Sequence, residues 1–155
     1  MDDVLLLGVN HRQAAIEMRE RLAFSPDPIH RALAELQSDQ IEQEFVILST
    51  CNRSEFYIRS QDICLSESRL KSYLANKSQL QLEEIDKLLF RKTGQDAIRH
   101  LLRVASGLDS LVLGENEILG QVKDAFEIAQ TEKSCRAVLC SAFRQAIRAG
   151  KRVRS

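Results

Sequence analysis

The chain has 155 residues, of which 44% are hydrophobic and 28% are charged, and 22 basic side chains balance 22 acidic ones. This composition indicates one soluble globular domain and excludes disordered, collagen-like and disulfide-scaffold proteins. Because only six residues are Gly and two are Pro, we expect few obligatory turns and long helices. No apolar run approaches the ~20 residues of a membrane span, so we predict a cytoplasmic protein with no membrane partner.

Two short apolar runs, at residues 4–9 and 45–48, each end in polar residues and predict buried strands. Residues 56–58 follow the second run so closely that they predict a tight reversal into a third strand, and residues 88–90 predict a fourth. Helical patterns separate the first strand from the second and the third from the fourth. This order predicts an α+β fold, in which a ferredoxin-like split βαβ antiparallel sheet is backed by helices.

Some of the predicted helices are preceded by residues that commonly form the N-cap or the first turn of a helix. Residues 15–22 have helical spacing, and Ser25 followed by Pro26 predicts the N-cap and first turn of the next helix. Ser66 is predicted to cap a further helix. Beyond residue 92, apolar residues at helical spacing predict a helical segment with three buried stripes. These stripes are Ala97, Leu101, Val104, Ala105 and Leu108; then Ile118, Val122, Ala125, Phe126 and Ala129; then Leu139, Ala142, Phe143, Ala146, Ile147 and Val153.

The last twenty residues are basic, because residues 136–155 hold six Lys and Arg and no acid. Such a segment suits either contact with an anionic partner such as nucleic acid or a helix with a solvated cationic face. Its helical pattern still runs at Ser155. We therefore expect one domain over residues 1–135, followed over residues 136–155 by the start of a basic helix from a longer protein.

The four cysteines match no zinc or thioredoxin spacing, so we expect thiols and no metal site. Cys51 differs from the others because it follows a predicted strand, between Thr50 and Asn52, with Arg53 two residues on. A strand end is a rigid platform for a reactive group, and a neighbouring cation favours the thiolate. These features predict a nucleophile at Cys51. A buried, inert cysteine is the alternative.

Two histidines are candidates for proton transfer near neutral pH. His100 lies at the rim of the first apolar stripe, where a histidine can contact both the core and a cleft. A structural role is the alternative for His100. His11, at the end of the first predicted strand, is its rival.

Residues 105–121 hold three of the six glycines, which suits a loop that approaches a ligand and leads into the helix at Ile118. The sequence has no G-x-G-x-x-G motif and no P-loop motif. Any nicotinamide cofactor is therefore expected to bind outside this chain.

Three motifs together resemble the N-terminal catalytic domain of the glutamyl-tRNA reductases. They are Gly8-Val9-Asn10-His11, the stretch LSTCNRSE at residues 48–55, and the segment from His100 through SGLDS at 106–110 to GQVK at 120–123. Their order and spacing match the family over about residues 5–154. The basic end resembles the start of the family's spinal helix, which leads to an NADPH-binding domain and a dimerisation domain that are absent from this chain.

The resemblance implies an oxidoreductase of tetrapyrrole synthesis that reduces glutamyl-tRNA to glutamate-1-semialdehyde. On this analogy Cys51 attacks the aminoacyl ester and forms a thioester, and NADPH bound by another domain reduces it. His100 then acts on the departing tRNA hydroxyl, and Arg53 holds the substrate carboxylate. The implied contacts around the glutamyl group, with Glu115 as a partner for its ammonium, are Thr50, Asn52, Ser110, Glu115, Asn116, Glu117 and Gln121.

The chain departs from the family pattern at one place. Family members usually read Gly-Glu-Pro-Gln where this chain reads Gly114-Glu115-Asn116-Glu117, so Glu117 presents a carboxylate in place of an amide. The resemblance also implies a homodimer of the complete protein and glutamate-1-semialdehyde aminomutase as the partner that receives the product. Two other functions stay open: a non-catalytic tRNA-binding or regulatory relative, and a free-standing thiol esterase.

Overall fold

The computed structural model describes residues 3–10, 12, 14–36, 42–110 and 116–155, which form a four-stranded sheet with helices on both faces. The strands are β1 (Val4–Asn10), β2 (Glu42–Ser49), β3 (Arg53–Ser60) and β4 (Phe90–Thr93). The helices are α1 (Ile16–Arg21), α2 (Pro26–Leu36), α3 (Ile63–Ser78), α4 (Leu82–Leu88), α5 (Gly94–Ala105), α6 (Glu117–Thr131) and α7 (Ala137–Arg154). The strand order is β2-β3-β1-β4 and every pairing is antiparallel. The predicted α+β fold with a ferredoxin-like sheet is confirmed.

The sheet is buried on both faces because alternate residues of each strand supply two separate cores. Leu5 and Leu7 pack with residues of α2, α3 and α4, whereas Leu6 packs on the opposite face with α5, α6 and α7. A strand covered on both faces favours apolar side chains at successive positions, not only at alternate ones. This explains why β1 reads as a continuous apolar run.

Several local predictions differ from the structure. Ser66 lies inside α3, which begins earlier because the Asp62 carboxylate caps it by accepting from the Leu65 N–H at 3.0 Å. β4 begins at Phe90, two residues later than predicted, because α4 extends to Leu88. Leu108 and Val153 are 45% and 55% exposed. Leu108 lies beyond the end of α5, and Val153 lies on the solvent side of the last turn of α7.

Glu44 of β2 ties α7 to the edge of the sheet. Its buried carboxylate accepts hydrogen bonds from the backbone N–H groups of Arg136 at 2.7 Å, Leu139 at 2.8 Å and Val138 at 3.3 Å. The first N–H groups of a helix have no partner within the helix, and this end of the helix carries a partial positive charge. A carboxylate from a strand therefore supplies the cap that α7 lacks in its own sequence.

The apolar face of α7 belongs to the same core as the sheet. Leu139, Phe143 and Ala146 are buried there, and the Phe143 ring meets the Tyr57 ring edge to face at 5.4 Å between centroids. On the edge strand, the Phe45 N–H donates to the Ser134 carbonyl at 2.7 Å. The α6–α7 connection thus covers an edge that would otherwise offer unpaired backbone groups.

Glu44→Ala is expected to lower the free energy of unfolding by about 2 kcal/mol, because it leaves buried N–H groups at the start of α7 without an acceptor. Urea unfolding followed by circular dichroism measures this. Glu127→Ala is the matched control, since Glu127 is exposed on α6 and its loss should change stability by no more than about 0.5 kcal/mol. Equal stability of the two variants would contradict the capping role of Glu44.

Candidate active site

The turn between β2 and β3 presents Cys51 at its tip. Thr50 closes this turn: its N–H donates to the Arg53 carbonyl at 2.8 Å, and its Oγ1 accepts from the N–H groups of Asn52 at 3.1 Å and Arg53 at 3.2 Å. A hydroxyl that holds two backbone N–H groups stabilises a tight turn. Cys51 is exposed, so its thiol is open to a reactant and the alternative of a buried cysteine is wrong.

A buried network of charged groups, centred on Glu55, lies next to this turn. The Glu55 carboxylate accepts from Arg53 Nη1 at 2.9 Å and from the Tyr57 hydroxyl at 2.7 Å, and it shares a 2.6 Å hydrogen bond with His100 Nε2. Burial raises the pKa of Glu55, but the hydrogen bond from His100, the positive charge of Arg53 and the hydrogen bond from the Tyr57 hydroxyl outweigh burial and lower this pKa below its ordinary 4.5. Glu55 is therefore an anion at neutral pH.

His100 lies on α5, is 7% exposed, and has its ring centroid 5.1 Å from that of Phe90. Because Glu55 is an anion, its hydrogen bond to His100 requires the proton to be on Nε2. The carboxylate thus fixes the tautomer of the imidazole and leaves Nδ1 to accept or return a proton. His11, the rival candidate, lies outside the described residues.

A glycine turn at the end of α5 brings Asp109 to Arg53. Gly107 has a φ of 77°, and the N–H groups of Gly107 and Leu108 donate to the carbonyls of Val104 and Arg103, each at 3.0 Å. This is the Schellman pattern, in which a left-handed residue ends the helix and glycine adopts it without strain. The chain reverses there, and the Asp109 carbonyl accepts from Arg53 Nη2 at 2.6 Å.

Arg53 is enclosed by acceptors from the protein itself. Its side chain is 2% exposed, and Nη1 donates to both the Glu55 carboxylate and the Asp109 carboxylate. Burial raises the pKa of Asp109, but the charge and hydrogen bond of Arg53, with the charge of Arg12, outweigh it and lower this pKa. Two carboxylates therefore offset the charge of Arg53. A substrate carboxylate could bind Arg53 only by displacing Asp109.

Arg12 is open to solvent, unlike Arg53. Its side chain is 57% exposed, and Nη1 lies 3.0 Å from Asp109 Oδ1. Arg12, Glu55 and Asp109 received no role in the prediction from sequence. A local signal was available for Glu55, because residues 53, 55 and 57 of one strand point to the same side.

The remaining predicted substrate contacts border residues 111–115. Glu115 belongs to that segment and so lies outside the described residues. Four other predicted contacts lie close to that segment in the chain, and their roles stay predictions. Asn116 and Glu117 are exposed at the start of α6, and Ser110 and Gln121 are half-buried.

A pocket of about 440 Å³ opens beside His100 and Asp109. The Phe90 ring and Asn10 line its interior, and Arg and Lys side chains dominate its rim. Within the described ranges, no cluster of three or more His, Cys, Asp or Glu side chains is close enough to hold a metal ion. No helix in the same part of the chain has the length and apolar character needed to cross a membrane.

Gly8→Ala is expected to disturb this site from the centre of β1. A Cβ at Gly8 would lie 2.6 Å from the Phe90 ring and 3.2 Å from Glu55 Cγ, so the ring that packs on His100 must move. We expect a loss of about 1–3 kcal/mol in unfolding free energy. Gly120→Ala is the matched control, because nothing lies within 4 Å of its added Cβ and alanine favours a helix. Urea unfolding compares the two; equal stability would contradict this account.

Comparison with known proteins agrees with this architecture. The family description "Glutamyl-tRNAGlu reductase, N-terminal domain" matches residues 7–155. The glutamyl-tRNA reductase of Carboxydothermus hydrogenoformans is 44% identical over 152 residues, covering 98% of this chain and 34% of that protein. The corresponding protein of Picosynechococcus is 43% identical over 153 residues, covering 99% of this chain and 36% of its own length.

A solved structure of a glutamyl-tRNA reductase also matches this chain. Glutamyl-tRNA reductase from Methanopyrus kandleri superimposes with a TM-score of 0.76 at 32% identity, covering 99% of this chain and 35% of that one. The chain therefore spans about a third of the length of the relatives that it matches. On this evidence, the chain belongs to the glutamyl-tRNA reductase N-terminal domain family, whose full-length members are oxidoreductases named for that activity.

Proposed function

We propose that this chain performs the acyl-transfer half of the glutamyl-tRNA reductase reaction, in which Cys51 takes the glutamyl group from glutamyl-tRNA. One observation carries the proposal. Cys51 is exposed at a hydrogen-bonded turn, and Arg53 of that turn binds the carboxylate that orients His100. A nucleophile and a carboxylate-oriented imidazole are the groups that covalent acyl transfer requires.

The proposed step forms one bond and breaks one. The Cys51 sulfur bonds to the ester carbonyl carbon, and the bond from that carbon to the terminal ribose oxygen breaks. The thiol loses a proton and the ribose oxygen gains one. We assign this transfer to His100 Nδ1, because the Glu55 carboxylate holds the proton of Nε2 and stabilises the imidazolium that forms.

Substrate binding is assigned to the residues around the turn and the pocket. Arg12 is open to solvent and is proposed as the first contact of the substrate carboxylate, with Arg53 behind Asp109 as the second. A planar guanidinium suits a carboxylate because it can donate two parallel hydrogen bonds. The other proposed contacts are Thr50, Asn52, Ser110, Glu115, Asn116, Glu117 and Gln121.

The reductive half belongs to the complete protein, for which we propose NADPH as the hydride donor to the thioester. The described residues do not fit a dinucleotide: their sheet is antiparallel throughout, whereas the dinucleotide fingerprint opens a helix within a parallel βαβ unit. No step in this chain is therefore assigned to NADPH. For the complete protein we also propose a cytoplasmic homodimer and glutamate-1-semialdehyde aminomutase as the receiving partner.

A single-turnover incubation with glutamyl-tRNA tests the proposal. Intact-mass measurement should show one added glutamyl group, and peptide mapping should place it on the peptide that contains Cys51. Free tRNA should appear with the same time course as the adduct. If tRNA binds but neither an adduct nor faster deacylation appears, the chain is a binding module and the proposal is wrong.

A further inference from the structure

We propose that the pocket beside His100 binds the single-stranded 3′ end of the tRNA, with Lys92 and Arg103 on its phosphates and Phe90 under one of its bases. This inference rests on the proposed function, because His100 must lie near the ribose oxygen that leaves. It adds a place for the nucleotides that precede that ribose.

The rim of the pocket has an excess of positive charge. Arg12, Arg91, Lys92, Arg99 and Arg103 line it, against the carboxylates of Asp96 and Asp109. A phosphate chain that passes this rim meets more cations than anions, and phosphate contacts by Lys and Arg dominate the affinity of proteins for nucleic acids.

Three of the five rim cations already have a carboxylate partner. Arg12 pairs with Asp109 at 3.0 Å, Arg99 pairs with Asp96 at 3.1 Å, and Arg91 pairs with Glu67 of α3 at 2.7 Å.

Lys92 and Arg103 are both exposed, and neither forms a salt bridge within the described part of the chain. Lys92 comes from the edge strand β4 and Arg103 from the last turn of α5, so the two cations reach the pocket from different elements. They are the side chains that can take phosphates without breaking an existing pair.

One phenylalanine ring, that of Phe90, lines the pocket beside His100. The half-buried Phe90 ring lies at the start of β4, 5.1 Å from the His100 ring at an interplanar angle of 49°. Proteins that bind single-stranded RNA combine a cationic groove with aromatic side chains that stack on bases. A volume of about 440 Å³ is within the usual range for a pocket that holds a small organic group such as a nucleotide.

Binding of deacylated tRNA, with and without its single-stranded 3′ end, tests the inference. Lys92→Glu/Arg103→Glu should bind whole tRNA at least about tenfold more weakly than the natural chain. The slope of log affinity against log salt should fall in magnitude by ~1.4 for two lost single-strand phosphate contacts. With trimmed tRNA the two proteins should bind equally. A variant that is equally weak on both RNAs would overturn the inference, because the cations would then act on another part of the RNA.

The matched control carries the same charge change on α7. Arg148 and Lys151 are exposed there and do not line the pocket. Arg148→Glu/Lys151→Glu should change the affinity for whole and trimmed tRNA by the same factor. Suppose instead that Arg148→Glu/Lys151→Glu weakens binding only when the 3′ end is present, and that Lys92→Glu/Arg103→Glu weakens both RNAs equally. The 3′ end would then lie on α7, and the inference would be wrong. NADPH offers a further check. If the natural chain binds NADPH and Lys92→Glu/Arg103→Glu does not, the two cations hold a dinucleotide phosphate and the inference is wrong.

A small glutamyl thioester without RNA separates this inference from the proposed function. It should acylate Cys51 equally fast in the natural chain and in Lys92→Glu/Arg103→Glu, whereas acylation from subsaturating glutamyl-tRNA should slow only in the variant. Failure of the natural chain with both donors would refute the proposed function. Normal acylation of the variant by subsaturating glutamyl-tRNA would refute the 3′-end site alone.

Discussion

Cys51→Ala is expected to slow transfer of the glutamyl group from tRNA by about 10⁴-fold or more, because it removes the sulfur that we propose bonds to the carbonyl carbon. The other thiols offer no substitute. Cys135 and Cys140 are buried with their sulfurs 2.8 Å apart, and burial together with the neighbouring thiol raises the pKa of Cys135 well above its ordinary value. Single-turnover deacylation of glutamyl-tRNA, followed by quench and mass measurement, gives the rate.

Cys64→Ala is the matched control for this experiment. Cys64 is also an exposed thiol, but it lies on the first turn of α3, beside a shallow pocket shared with α4. Its loss should leave the rate unchanged. Cys51→Ser should keep the fold and react slowly at best, because a serine hydroxyl is a far weaker nucleophile than a thiolate. A rate lost in Cys64→Ala and kept in Cys51→Ala would show that the nucleophile was assigned to the wrong cysteine.

The sequence was sufficient for the features that depend on nearby residues. The apolar runs of β1 and β2, the reversal into β3 and the place of Cys51 at the turn all follow from periodicity and polar ends. The helices that cover each face of the sheet were less accessible, because apolar periodicity predicts a buried helix face without showing what it packs against. The helices that cover the second face had to be placed by tertiary packing.

Arg53 has one partner that the local sequence could predict and one that it could not. In the sequence it is a cation near Cys51 that favours the thiolate, and the family resemblance assigns it to a substrate carboxylate. In the structure it bridges Glu55, two residues along the strand, and Asp109, 56 residues away. Alternation along β3 could have predicted the first contact, but the second depends on the glycine turn that ends α5. The Glu44 cap on α7 likewise joins residues more than 90 positions apart.

The orientation of His100 also depends on a residue that is distant in the sequence. Its partner Glu55 is 45 residues away on another element, so helical periodicity could place the imidazole at a rim without showing what holds it. The structure supplies a fully buried carboxylate there. In the proposed reaction Glu55 is therefore a positioning residue, which acts through the imidazole.

Glu55→Gln is accordingly expected to slow glutamyl transfer by about 10²–10⁴-fold, even though the amide has almost the shape of the carboxylate. The amide NH₂ can donate to His100 Nε2 and so favours the opposite tautomer, with the proton on Nδ1, where the lone pair is needed. His100→Asn should have an effect of similar size. Because the two residues act as a unit, the double variant should be no slower than the slower single variant, as single-turnover rates would show. Independent, multiplicative effects would contradict a positioning role.

The pH dependence of the unfolding free energy separates the positioning role of Glu55 from a general loss of folding. A carboxyl whose native pKa is lowered contributes stability above its ordinary pKa of 4.5 and loses it as pH falls through the native value. The natural chain should therefore lose stability below about pH 4.5, and Glu55→Gln should lose less of its stability over the same interval because it has no proton to take up there. Urea unfolding at pH 7 and at several pH values below 4.5 measures this difference. If the transfer rate of Glu55→Gln at pH 7 is lost while the variant remains folded, the defect lies in the site that Glu55 organises and not in the stability of the sheet.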